Sequence, residues 1–304
     1  MTKSKLREAK KEFDALNVYE HISPQQVSFY KDLVRLLSKY QLHLKKENTF
    51  PSLTSKQALN KIKEEKSLLD LSQIKLGEKY LEDIFNDLNK LILKYGFFEK
   101  NEGEQLKQAY QKKKLNLKQL VIENITCNGE YIHNLSTILQ VSSDILIFIA
   151  IHSIKPILEL ACIAYSDLIK FADWYKNTCP ICGSPPYISK LSKEEGKRVL
   201  KCSLCDYEWL FSRLMCPFCN NEDQEFHKYF YIEEDSPYRV DVCDKCHQYI
   251  KTVDERKYPS DKRINLFMDH ISTIYLDFKA YEEGYTNNLI FYNQNNLVAL
   301  NKIN

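Results

Sequence analysis

The sequence predicts an α+β protein in which an all-helical N-terminal domain is followed by two tandem four-cysteine metal modules and a C-terminal helix. Three observations carry that reading. Eight of the ten cysteines form four Cys-x-x-Cys pairs at Cys179/Cys182, Cys202/Cys205, Cys216/Cys219 and Cys243/Cys246. Before about Trp174 the apolar residues recur at helical spacing between recognisable caps. After the last pair, Ile264, Phe267, Met268, Ile271, Ile274, Tyr275 and Phe278 repeat three and four apart. The expected boundaries are residues 1–173 for the helical domain, 174–214 and 215–259 for the two metal modules, and 260–304 for an amphipathic helix and tail.

In the helical part, Ile22-Ser23-Pro24-Gln25-Gln26-Val27 offers a serine cap, proline at the first helical position, glutamine at the third and an apolar staple, so a helix is expected from there to about Lys46. Asn48 to Ser55 reads as a connector. Leu81, Ile84, Phe85, Leu88, Leu91, Ile92 and Tyr95 line one face of a second helix that Gly96 stops. Val141 to Tyr165 is apolar enough to raise the question of a membrane span, but its densest run, Ile145 to Ile151, is short and His152, Lys155, Pro156 and Glu159 follow it. It reads as a buried core helix with a break or kink near Pro156, and no transmembrane segment is expected. The triplet Lys112 to Lys114 reads as solvated charge, and Cys127 and Cys162 as partly buried thiols packing like small hydrophobes.

A Cys-x-x-Cys knuckle puts two thiolates on one metal, and two knuckles about 15–20 residues apart close a tetrahedral four-thiolate site. Cys182 and Cys202 are separated by 19 residues and Cys219 and Cys243 by 23. Sequential pairing closes the shorter loops, so Cys179, Cys182, Cys202 and Cys205 are expected on one ion and Cys216, Cys219, Cys243 and Cys246 on the other; interleaved pairing is the alternative. Strands at Arg198 to Lys201 and Tyr238 to Val242 should lead into the second knuckle of each module. The modules are therefore rubredoxin-like, or zinc ribbons. Two metal ions are expected, zinc ahead of iron, because tetrahedral sulfur ligation accepts either. Gly183 follows the first knuckle, and Asp206, Asn220 and His247 hold the equivalent places; His247 reads as a surface histidine rather than a ligand.

Disulfides are the rival, but Met1 to Lys11 is charged, without the apolar stretch or cleavage site of a signal peptide and without a twin arginine, so a reducing cytoplasm is expected. Nucleic-acid binding is disfavoured by charge. Residues Lys176 to Lys257 hold 13 basic and 14 acidic side chains, and two filled four-thiolate centres take the region to about −5. No dinucleotide fingerprint, phosphate loop or activated nucleophile is present, so no catalytic residues are assigned and an enzyme is not expected.

The run Cys179-Pro180-Ile181-Cys182-Gly183-Ser184-Pro185-Pro186, then Cys202-Ser203-Leu204-Cys205-Asp206-Tyr207-Glu208-Trp209, then Arg213, Cys216-Pro217-Phe218-Cys219, Arg239 and Cys243-Asp244-Lys245-Cys246, resembles the FdhE family of formate dehydrogenase accessory proteins. Leu276-Asp277 and Glu283-Gly284-Tyr285 look like that family's final helix. The resemblance implies a cytoplasmic maturation chaperone that binds the catalytic subunit of a formate dehydrogenase and does not itself oxidise formate. It also marks Glu208, Trp209, Arg213 and Arg239 as candidate partner-binding residues; the bland reading is that Trp209 packs its own module and Glu208 pairs with one arginine locally. A rubredoxin-like electron carrier is the main alternative, ahead of a nucleic-acid-binding zinc-ribbon protein.

Overall fold

The computed structural model describes residues 22–99, 101–169, 173–232, 236–260 and 264–287. The strand expected at Asn288 to Tyr292 lies outside them. The chain divides into two compact units, one built around residues 24–52 and 70–161 and the other around residues 53–69 and 162–288.

The helical unit contains α1 (Pro24–Leu44), α3 (Glu78–Tyr95), α4 (Glu102–Gln111), α5 (Leu117–Ile125), α6 (Gly129–Leu139) and most of α7 (Ser143–Tyr165). Helix α1 begins on Pro24, whose fixed φ suits the first turn. Helix α3 ends at Tyr95, where Gly96 takes the left-handed conformation at φ 66° and its amide bonds Ile92 O. The α3 stripe is the core: Ile84, Phe85 and Leu88 are fully buried. Burying one such side chain contributes about 1.5–3 kcal/mol, which is how a polar-rich helix is held. Helix α7 runs through Pro156 without interruption, and next to the hydrogen bond the proline removes, the Tyr80 hydroxyl donates to Ser153 O at 2.6 Å. The segment Ser143–Leu168 is long and apolar enough to cross a membrane, yet 67% of its most apolar window is buried, with Ile145, Leu146, Ile154 and Ile157 fully enclosed.

The second unit holds a six-stranded sheet of β1 (Pro186–Leu191), β2 (Arg198–Cys202), β3 (Glu208–Phe211), β4 (His227–Phe230), β5 (Tyr238–Cys243) and β6 (Gln248–Asp254), in the order β3-β2-β1-β6-β5-β4. Each module is an antiparallel three-stranded meander. The two are fused by a parallel pair, β1 with β6, in register from Ile188↔Lys251 to Leu191↔Asp254. Helix α2 (Ser55–Lys63), closed by a Thr54/Gln57 capping box, leads into a strap whose Leu68 and Leu69 amides donate to Pro180 O and Ile181 O at 2.9 and 2.7 Å. Residues 67–69 thus clasp the first cysteine knuckle.

The C-terminal helix is interrupted, as α8 (Leu266–Ser272) and α9 (Ile274–Glu282). The buried Lys251 ammonium takes His270 O at 2.7 Å and Thr273 O at 3.3 Å, carbonyls that an unbroken helix would give to its own amides. The expected stripe of Ile264, Phe267, Ile271, Tyr275 and Phe278 is only half-buried. The residues packed inward are Leu266, Met268, Leu276 and Ala280, the last two against Val240, Val242 and Tyr249 of the sheet, together with the polar Asp269, His270 and Asp277.

Candidate metal centres

The fold gathers the eight paired cysteines into two clusters, Cys179 with Cys182, Cys202 and Cys205, and Cys216 with Cys219, Cys243 and Cys246; within each, the four sulfurs lie within 4.8 Å of one another. In the first, Cys179 Sγ is 3.5 Å from Cys205 Sγ and Cys182 Sγ 3.4 Å from Cys202 Sγ. In the second, the Cys216–Cys246 and Cys219–Cys243 distances are 3.7 and 3.8 Å. A disulfide needs about 2.05 Å. A tetrahedral ion with metal–sulfur bonds of about 2.3 Å needs sulfur–sulfur edges of about 3.8 Å, so the donor sets fit a four-thiolate metal closely.

Backbone geometry explains why these residues make knuckles. The residue after each second cysteine is left-handed, with φ 79° at Gly183, 61° at Asp206, 56° at Asn220 and 54° at His247. That twist lets Gly183, Asn220 and His247 return their amides to the carbonyls of Cys179, Cys216 and Cys243. It also brings amides to sulfur: Leu204 and Cys205 N–H donate to Cys202 Sγ and Phe218 N–H to Cys216 Sγ, each at 3.4 Å. Such donors stabilise a thiolate, as a metal ligand must be.

The clusters differ in exposure. All four cysteines of the first are buried, whereas in the second Cys219 is exposed and Cys246 half-buried. Burial pushes the Cys179 and Cys205 thiols well up, Cys205 also feeling the neighbouring Cys162 thiol, and it lifts Cys246 to about 11. Cys182 is held well below the ordinary thiol value by hydrogen bonds from Cys179 and the other cluster thiols. A bound cation would deprotonate the remaining thiols outright. His247 lies outside the cluster, on the surface, with its ring beside Tyr285. Cys127 is exposed, on a left-handed turn at φ 62°, instead of half-buried like Cys162.

Of the four residues singled out for partner binding, Trp209 is buried and its Nε1 donates to Lys176 O at 2.9 Å. Arg239 is buried too and pairs with Asp241 at 2.9 Å. Glu208 is exposed at the sheet's β3 edge and pairs with lysines of β1 and β2, Lys190 at 3.0 Å and Lys201 at 3.5 Å, instead of the expected arginine. Arg213 is exposed. Sequence reasoning passed over Arg198 and Asp241, which join Arg239 in one buried network, and Lys251 with Asp277; a charged residue in a strand carries no local mark of burial.

Residues 178–213 match the family described as "FdhE, central domain". The chain is 35% identical over 150 residues to an FdhE homologue of Aquifex aeolicus, covering 48% of this chain and 50% of that protein. It is 31% identical over 114 residues to the FdhE protein of Escherichia coli K12, covering 37% of this chain and 36% of that one. The chain thus spans half the length, or less, of these curated relatives. The crystal structure of the FdhE protein from Pseudomonas aeruginosa shares the fold, with a TM-score of 0.56 at 17% identity over 85% of this chain and 91% of that one. Two of the four cysteine knuckles, Cys179/Cys182 and Cys202/Cys205, lie inside the matched central domain, so the chain is similar to FdhE proteins in that segment and shares its fold with a solved FdhE structure.

Proposed function

We propose that this protein is a non-enzymatic accessory factor for a formate dehydrogenase, which binds the enzyme's catalytic subunit in the cytoplasm while that subunit matures. The observation that carries the reading is the family's central domain coinciding with the first pair of knuckles. Each cluster offers four cysteines to one ion, so a tetrahedral metal there has no open position for substrate, as in structural rather than catalytic zinc sites. Zinc is the proposed occupant of both. The ions supply folding free energy, on the order of 10 kcal/mol or more per site, and hold the surface that bears Glu208 and Arg213 for contact with the partner.

The test is capture of the catalytic subunit by the tagged protein, together with formate dehydrogenase activity in a strain lacking it. Cys216→Ser with Cys219→Ser should abolish capture while circular dichroism keeps most of the helical signal. Undiminished enzyme activity in the deletion strain would refute the role, and capture by the serine variant at unchanged affinity would move the contact to the helical unit. The exposed Cys219 favours a second reading, a rubredoxin-like electron carrier with iron in the outer cluster. Colourless protein holding two zinc ions eliminates it.

A further inference from the structure

Two arginines of the sheet are nine-tenths or more buried and share a single carboxylate. Arg198 Nη2 and Arg239 Nη2 each lie 2.9 Å from Asp241, on Oδ2 and Oδ1 respectively, and Arg198 Nη1 donates to Met215 O at 3.3 Å. The Thr252 hydroxyl also donates to Asp241 Oδ2 and is itself 2.6 Å from Ser189 Oγ. Asp241 thereby accepts from three donors. The Nε–H of Arg198 and the Nε–H of Arg239 are both buried, and neither meets an acceptor among the described residues. A buried donor left unmade costs about 1–3 kcal/mol, more on a charged group, so the network is rich in donors and short of acceptors.

Both arginines line a cavity of about 240 Å³ on the sheet face opposite α8 and α9, and the exposed Arg213 lines it too. The Tyr229 ring lies 4.5 Å from the Arg239 guanidinium carbon and fixes that side chain from the other side. Arg198, Arg213, Lys228 and Arg239 against the Asp241 carboxylate leave three net positive charges on the lining. Cys216 and Cys243 of the outer thiolate cluster also line the cavity, and a filled centre would add about −2 there. The net field is therefore weak, and it is the directed guanidinium donors that select a ligand. Planar forks of this kind match small oxyanions, and the cavity is too small for a nucleotide or a drug-sized molecule.

We propose that this cavity is a binding site for a small oxyanion, a carboxylate or a phosphate, held by Arg198 and Arg239 and closed by Arg213. The inference shares Arg213 with the partner surface proposed above, but it is tested on the isolated chain and so fails or stands independently of that reading. Isothermal titration of the metal-loaded full chain tests it, with inorganic phosphate in one arm and acetate in the other. The expected result is saturable one-to-one binding of at least one anion with a Kd below about 1 mM. Arg213→Ala and Arg239→Lys should each weaken it by about tenfold or more, the loss of a charged hydrogen bond. A response to phosphate alone assigns a phosphoryl ligand, and a response to acetate a carboxylate. Should Arg239→Lys fail to retain both metals, Arg213→Ala decides, since that side chain is exposed. Absence of saturable binding in both arms overturns the proposal, and so does unchanged affinity in Arg213→Ala.

Discussion

Lys251 Nζ lies 2.6 Å from Asp277 Oδ2, with the lysine side chain 3% and the aspartate side chain 12% exposed. The Tyr249 hydroxyl donates to the other carboxylate oxygen at 2.8 Å. Burial drags the lysine below its usual value and lifts the aspartate above its own, while each partner opposes the other's shift. Because the same ammonium also donates to His270 O and Thr273 O, this one cation both neutralises Asp277 and ends helix α8.

Lys251→Met should therefore destabilise the second unit by about 3–5 kcal/mol, since it strands a buried carboxylate and two carbonyls. Lys251→Met combined with Asp277→Leu should lose clearly less than Lys251→Met alone. Urea unfolding of the three proteins measures this. A single-variant loss under about 1 kcal/mol would show that the pair does not brace the α8–α9 junction.

The exposure of Cys219, against the fully buried first cluster, orders the loss of metal. Competition with a chromogenic chelator should release one equivalent quickly and the second only as the fold opens. Cys216→Ser should remove the fast phase and leave the slow one. A single phase releasing two equivalents would contradict this assignment.

Left-handed backbone is costly for a residue with a Cβ, by roughly 1–2 kcal/mol. His247 pays that at φ 54°, so His247→Gly should raise stability by up to about 1 kcal/mol and raise Tm. Gly183→Ala should lower it, because an added Cβ at φ 79° would stand 3.3 Å from Ser67 Oγ of the strap. Thermal melts of the metal-loaded variants check both signs.

His270 is fully buried against Tyr187, and burial, followed by the Lys251 charge, holds it well below the ordinary histidine value. Below about pH 6.5 the unfolded chain protonates this histidine and the folded chain does not. Unfolded protein then binds more protons, so stability is full above that pH and falls as pH drops toward the depressed value, by up to about 1.4 kcal/mol per unit. His270→Asn should shed this part of the slope between pH 7 and 5.5. Identical slopes in parent and variant would show that His270 titrates normally.

What the sequence made legible was local. The Pro24 start and Gly96 stop, the knuckle spacings and the turn-tolerant residues at 183, 206 and 220 are written within a few positions of where they act. What it hid depends on distant partners. Nothing near Leu68 announces that its amide meets Pro180, and nothing in β1 announces a parallel neighbour in β6. The C-terminal stripe misled because size governs periodicity: Phe267, Tyr275 and Phe278 outweigh Asp269 and Asp277, yet the polar residues face inward, where Lys251 and Tyr238 need acceptors.

The parallel seam between β1 and β6 also sets a timetable. Ser189 and Thr252, hydroxyl to hydroxyl across that seam, are 63 residues apart. At about 5–20 residues per second of synthesis, β1 waits roughly 3–13 s for its neighbour to be made. During that interval the nascent chain presents an unpaired strand edge on a module whose last two cysteines, Cys202 and Cys205, are made early in the wait. Early capture of an ion there would hold the first hairpin in shape through the wait, so metal supplied during translation would protect this edge in a way that metal supplied after release could not.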